Sequence, residues 1–312
     1  MRVVAGCMLL FFACASKRAP DPCSHSEGSL MALAPGPRHI HTVFVVVMEN
    51  ANWSEIRGNA NAPYLNGTLL PSSAHAEQYY NPPGVHPSEP NYLWMEGGTD
   101  YGIRDDGDPA SHHVRLTDHL VTLLGKAGIS WRSWQEDIRA GECPVASHGL
   151  YAAKHNPLVF FDDVTGDQAF CAAHNRPLGE LAGALQGNSV ARYNFITPNL
   201  CHDMHGAPDC PRDLVRTGDA WLSQWVPRIL ASRAWQQGGA LFITWDEGEG
   251  STSDGPIGMV VLSPLAKKGF ASNTRWTHSS LLRTVQEIFG VGPLLCDAAA
   301  AKDLSELFVT FP

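Results

Sequence analysis

The chain has 312 residues, 44% hydrophobic and 17% charged, with 29 Gly, 22 Pro and 9 Trp. That composition supplies a sizeable core and excludes a disordered, collagenous or coiled-coil protein; the length suits one large α/β domain or two smaller ones. Lys and Arg total 22 against 31 Asp and Glu, a formal charge of −9 with no basic block, which argues against a nucleic-acid partner.

The chain opens as a targeting segment. Met1-Arg2 precedes an apolar stretch from Val3 to Ala15, followed by Ser16-Lys17-Arg18. The stretch is shorter than the roughly 20 residues that span a bilayer and has the charged start and small-residue end of a secretory signal. The expected division is a signal over 1–15, a leader over 16–38 and one folded domain over 39–312. Cleavage after Ala15 and lipid attachment at Cys14 are both open, the second through an imperfect lipobox containing Phe11 and Phe12. No later segment is long enough for a transmembrane span, so an exported protein is expected. Beyond the signal lie Cys23, Cys143, Cys171, Cys201, Cys210 and Cys296, an even number suited to an oxidising compartment. Cys201 with Cys210 and Cys143 with Cys171 are the expected pairs. No C-x-x-C or H-x-x-x-H spacing suggests a zinc site.

His41 to Met48 is a continuous apolar run rich in β-branched residues, the pattern of a strand buried on both faces. Similar runs recur at Arg192–Thr197, Ala240–Trp245 and Met259–Ser263. Leu116, Leu120, Leu123 and Leu124 repeat at helical spacing, with Gly125 and Gly128 near the stop. Trp221, Trp225, Ile229 and Leu230 predict a second helix. Leu281, Leu282, Val285, Ile288 and Phe289 predict a third, closed by Gly290. Buried strands alternating with amphipathic helices imply a parallel sheet covered on both faces. The less regular segment from Arg132 to Ala191 reads as a decorated excursion beside the site.

Two of the buried runs end alike, one in Glu49-Asn50 and the other in Asp246-Glu247. Ligands gather at the carboxyl ends of strands in open α/β sheets, and carboxylates packed there repel unless a cation lies between them. An oxygen-rich set suits one divalent ion, with Mg, Mn or Ca favoured over Zn. Single acids after strands are common as solvated loop residues; it is the repetition of the pair that singles these out. Pro90 fits the first turn of a helix, which places Ser88 at its N-terminus, where amides and the dipole favour an anionic oxygen or a phosphate. Alone, such a serine is an ordinary cap; beside a cation it is a candidate nucleophile. Asn199, His202, Asp203 and His205 follow the second run and His278 opens the last long helix. These side chains suit phosphoryl contacts or proton transfer to a leaving group.

The ordered segments VFVVVMEN, NAPYLN, HPSEPNYLWMEGG, HNPLVFFDD, NFITPNLCHDMH, TGDAWL, ALFITWDEG, VVLSPL and THSSLLRT closely resemble the bacterial phosphoesterase family of acid phosphatases and phospholipases C, within the alkaline-phosphatase-like superfamily. The resemblance covers about His41 to Gly290. It implies a single α/β domain with a mostly parallel central sheet and helices on both faces. It further implies one metal held by Glu49, Asn50, Asp246 and Glu247, with Ser88 as nucleophile and fifth ligand. Asp203, His205 and His278 would surround the phosphoryl group, with His202 and His86 as further candidates. Two-metal relatives carry a histidine-containing pair where Asp246-Glu247 stands, and Asp with His where Asn199 and Asp203 stand, so the resemblance disfavours a two-zinc enzyme.

The expected activity is hydrolysis of a phosphate-ester substrate through a phosphoseryl intermediate by a broad phosphatase, with phospholipase C or another phosphodiesterase as the alternative. A metal-free serine esterase is disfavoured because no G-x-S-x-G elbow occurs. An exported binding protein without turnover is the non-enzymatic alternative. The acidic segment Gly248 to Gly258, with Glu249 and Asp254, reads as a flexible connector.

Overall fold

Side chains of the apolar runs, too large and too branched to leave in water, collapse into a buried sheet. The computed structural model describes Cys23, residues 38–248 and residues 255–312. The expected signal, Cys14 and most of the leader lie outside the described residues, as do Glu249 and Asp254. Among the described residues the strands are β1 (Thr42–Met48), β2 (Ala74–Ala76), β3 (Tyr79–Tyr80), β4 (Trp131–Gln135), β5 (Asn175–Pro177), β6 (Tyr193–Thr197), β7 (Gly239–Trp245), β8 (Met259–Leu262), β9 (Phe270–Ser272) and β10 (Trp276–Thr277). Eight of them form one sheet in the order β5-β4-β6-β1-β7-β8-β2-β9, and β3 pairs with β10. β5, β4, β6, β1 and β7 run parallel, whereas β8 is antiparallel to both β7 and β2. The result is a single α/β domain with a mostly parallel sheet. β1 and β7, at its centre, are buried along their whole length, which is why both read as unbroken apolar runs.

The segment from Arg132 to Ala191 is not an excursion. It supplies β4 and β5, which extend the sheet at one edge. β4 escapes an apolar-run search because its buried positions include polar residues that satisfy one another. Gln135 Nε2 donates to Ser133 Oγ (2.8 Å) and to Thr197 Oγ1 on β6 (3.0 Å), and Ser133 Oγ donates to Asn156 Oδ1 (3.2 Å). Leu116 lies outside its expected helix, which spans Leu120–Lys126, and is exposed. The other two helices span Leu214–Leu230 and His278–Phe289, the latter capped by Gly290 in the left-handed region. Gly218 permits close packing beneath the site: a Cβ there would meet Met204 Cε at 2.5 Å and Met48 Cε at 2.9 Å.

Disulfides join Cys201–Cys210, Cys143–Cys171 and Cys23–Cys296. Among the described residues, no helix is long and apolar enough to cross a membrane.

The helix Ser88–Gly97 is clamped at its far end. The Glu96 carboxylate, buried in the last turn, meets His119 Nδ1 (2.9 Å) and accepts the Val121 N–H (2.7 Å), while His119 Nε2 meets Asp163 Oδ1 at 3.0 Å. The His119 ring stacks on Phe161 with centroids 3.8 Å apart. Burial opposes a charge on His119, but the hydrogen bonds from its ring to Asp163 and Glu96 outweigh it and push its pKa up to about 9. A histidine bound more tightly to its proton in the folded state stabilises fully below its unfolded pKa, and loses that contribution as pH rises through the folded value. His119→Gln is therefore expected to cost roughly 3 kcal/mol near neutral pH. The gap from wild type in thermal melts should narrow as pH rises through about 9.

Candidate active site

Because β4, β6, β1 and β7 are parallel neighbours, their carboxyl ends emerge along one edge. Met48 is in register with Trp245, so Glu49 and Asp246 leave the sheet side by side. Backbone bonds fix the exits: Asp246 N–H donates to Met48 O (2.9 Å) and Glu49 N–H to Asp203 O (2.7 Å). Asn50 adopts φ 44°, a left-handed conformation that asparagine tolerates, and its N–H donates to Asp246 Oδ1 at 3.1 Å. Ser88, at the first turn of its helix with Pro90, is buried and donates from Oγ to Glu49 Oε2 at 3.0 Å.

On the other oxygen of Glu49 stands a residue the sequence did not single out. His155 Nε2 lies 3.3 Å from Glu49 Oε1, while its Nδ1 meets Asp203 Oδ2 at 3.2 Å and its ring stacks on Tyr92. Asp203 Oδ1 accepts the His205 N–H (2.7 Å), and His205 Nδ1 donates to Gly206 O (2.9 Å), which orients the half-buried ring. One ligand atom each from Glu49, His155 and His205 lies within 4.8 Å of the others. Glu247 Oε2 pairs closely with His86 Nδ1 and accepts from Asn91 Nδ2 at 3.3 Å.

The remaining candidates have other partners. Both His278 nitrogens are engaged in the core, Nε2 with the backbone oxygen of Asp246 (2.6 Å) and Nδ1 with Tyr79 OH (3.2 Å). Asn199 is consumed by its own loop: Oδ1 accepts from Cys201 and His202 N–H, and Nδ2 donates to Asp137. His202 turns away to Glu136 Oε2 at 2.8 Å.

The electrostatics are severe. Burial, then the charges of Asp246 and Asp203, hold Glu49 well above the usual carboxylate range, opposed by Lys154. Burial raises Asp203 likewise. It also pushes Asp246 up to about 6, against hydrogen bonds from Glu49 and Asn50. Burial and then Asp246 push Glu247 up to about 8. Burial lowers His155 and His205. Glu49 Oε1, Asp246 Oδ2 and His155 Nε2 are buried without a hydrogen-bond partner. Concentrated acids with unsatisfied atoms fit a divalent cation, and the imidazoles add nitrogen donors to the oxygen set expected from sequence.

Residues 73–292 match the Phosphoesterase family. The chain belongs to that family. It is 29% identical to the phosphatidylinositol-3-phosphatase of Mycobacterium tuberculosis, over 84% of this chain and 80% of that protein. It is 25% identical to an acid phosphatase of Aspergillus fumigatus, over 90% of this chain and 60% of that one. Against the phosphate-repressible acid phosphatase of Penicillium chrysogenum it is also 25% identical, over 67% of this chain and 50% of the other. The chain thus spans only half to three-fifths of these fungal relatives. In fold it is similar to the lipoteichoic acid synthase LtaP of Listeria monocytogenes, with a TM-score of 0.56 at 14% identity over 84% of this chain and 76% of that one. It is likewise similar to murine ectonucleotide pyrophosphatase / phosphodiesterase 5, with a TM-score of 0.54 at 11% identity over 86% of this chain and 100% of that one. These last likenesses concern the fold alone. The phosphoesterase is a hydrolase of phosphoric esters.

Carboxyl groups whose pKa is raised by folding hold protons that the unfolded chain has released, so the cation-free phosphoesterase should lose stability as pH rises through about 6 (Asp246) to about 8 (Glu247). Adding a divalent ion near pH 8 should restore stability, by about 2.7 kcal/mol at a hundredfold excess over its dissociation constant. Glu49→Gln should abolish that response in thermal melts with and without chelator.

Proposed function

We propose that this phosphoesterase is an exported, metal-dependent phosphatase that cleaves phosphate monoesters through Ser88. The supporting observation is the Ser88 hydroxyl, which sits at a helix start with Oγ 3.0 Å from a buried carboxylate whose other oxygen makes no hydrogen bond. Glu49, Asn50, Asp246, Glu247 and Ser88 would hold the cation, which when bound neutralises charge spread over the phosphoryl oxygens and acidifies the serine hydroxyl.

The chain's own groups account for the protons. Ser88 Oγ forms a bond to phosphorus as its proton passes along the 3.0 Å hydrogen bond to the Glu49 carboxylate. The ester P–O bond breaks, and the leaving oxygen takes a proton from Nε2 of His205 in its imidazolium form, a form that burial confines to acidic pH. In the second half, water attacks the phosphoseryl group and gives its proton to His205. The Ser88–phosphorus bond breaks, and Glu49 returns the proton to Ser88. Asp203 and His155 position these groups, Asp203 by holding the His205 backbone and the His155 ring. His278 is a positioning residue, supporting Asp246 from beneath through its backbone oxygen.

The names of the relatives, a phosphatidylinositol-3-phosphatase and acid phosphatases, favour a monoester over the diester a phospholipase C would cleave. Export rests on the N-terminal pattern together with the three disulfides.

Ser88→Ala should lower turnover of a chromogenic phosphate monoester by at least about 10³-fold while leaving circular dichroism and melting intact. Substantial hydrolysis by that folded variant would refute the assignment. His205→Asn should lower kcat by about 10²-fold, with the loss growing as the leaving alcohol becomes less acidic. A loss independent of the leaving group would remove His205 from the proton-donor role.

A further inference from the structure

Asp106 reaches the site from outside both the sheet edge and the Ser88 helix. Residues 99–113 form a strap across the start of the Ser88 helix, fastened there by Glu89. The buried Glu89 carboxylate accepts the Gly107 N–H (2.6 Å) and meets His112 Nδ1 (2.8 Å). The fastening carries Asp106 inward. Asp106 Oδ1 accepts the Glu89 N–H, the amide next to Ser88, at 3.1 Å, and Oδ2 takes Lys154 Nζ at 2.6 Å. The Lys154 charge acts on Glu49 and Asp246, and the Asp106 charge acts on Glu247 and His205. Asp106 therefore sits between the Ser88 helix start and Lys154, within electrostatic reach of Glu247 and His205.

We propose that Asp106 occupies the seat of the substrate's phosphoryl group in the resting protein, and that Lys154 and the Glu89 amide bind the phosphoryl oxygens once Asp106 withdraws. A carboxylate and a phosphoryl group make the same demand: anionic oxygens need a helix-start amide and an ammonium. One amide proton and one ammonium cannot serve both anions fully in so small a volume, and the two anions repel each other. The ester must displace Asp106 to bind. Accessibility permits the exchange, because the Asp106 side chain is 32% exposed whereas Lys154 is 18% exposed, so the placeholder stands at the solvent edge and the donor behind it. Placement by the strap also makes Asp106 a filter: a ligand too weakly anionic to win Lys154 leaves the seat filled.

This inference rests on the phosphatase reading but is tested apart from turnover. Inorganic phosphate is titrated by calorimetry into the full-length, metal-loaded protein in four forms: wild type, Asp106→Asn, Lys154→Met and the double variant. Asp106→Asn keeps the shape and an oxygen for the Glu89 amide but removes the charge that competes for Lys154. If Asp106 fills the seat about nine-tenths of the time, this variant binds phosphate about tenfold more tightly, because apparent affinity scales with the open fraction. Lys154→Met should weaken phosphate binding, and in that background Asp106→Asn should bring little or no gain. Unchanged or weaker binding by Asp106→Asn, in protein that melts like wild type, would show a fixed strut instead of a placeholder. An equal gain in both backgrounds would remove Lys154 from the seat. Either result, alongside an inactive Ser88→Ala, would overturn this inference while leaving the phosphatase reading in place.

Discussion

Three carboxylates, Glu49, Asp203 and Asp246, are each wholly buried within one small volume, with the Lys154 ammonium as the positive charge that opposes them. Removing one carboxylate from water is already costly, and packing several together adds mutual repulsion. Proteins tolerate this where the charge is used, which is why strongly shifted acids cluster at functional sites. Much of the architecture serves this concentration. Parallel strands deliver Glu49 and Asp246 side by side, backbone bonds between adjacent exits hold them, and His155 and Asp203 enclose the far side. The unpartnered oxygens are what a closed core would never leave.

The acidic edge of the sheet also depends on residues that never face it. His278 supports Asp246 through a backbone oxygen, and Gly218 lets a long helix approach the two methionines under the floor of the site. On the same helix, Asp219 accepts the Tyr64 and Leu65 N–H groups at 2.9 and 2.8 Å, tying down the segment that enters from β1. Motifs such as TGDAWL and NAPYLN are thereby explained as two halves of one structural contact, without either touching the chemistry.

How much of this could be read from sequence depended on whether the signal was local. β1 and β7 are legible because burial on both faces leaves an unbroken apolar run, and their terminal acids follow directly. The Ser88 helix start is legible because Pro90 restricts where it can begin. β4 and β5 are not: Ser133 and Gln135 are buried through hydrogen bonds to partners distant in the chain, which no periodicity reveals. His155 stands in the resembling segment HNPLVFFDD, yet a lone histidine among 14 carries no chemistry until folding sets it against Glu49. The Asp106–Lys154 pair is invisible in sequence for the same reason, one residue lying in an acidic turn and the other an isolated lysine. Conversely, Asn199 and His202 cluster with Asp203 in sequence, but loop closure turns their side chains to backbone and to Glu136.

The clamp on the Ser88 helix has a mechanical corollary. Ser88 and Glu96 sit near opposite ends of one rigid rod roughly 15 Å long. With Glu96 pinned through His119 to Asp163, the hydroxyl behaves as the tip of a lever whose fulcrum lies deep in the apolar interior. Its aim is thus governed from the opposite end of the rod, so a small pivot among those hidden charges would swing the Ser88 oxygen sideways while every group at the mouth of the pocket stays intact.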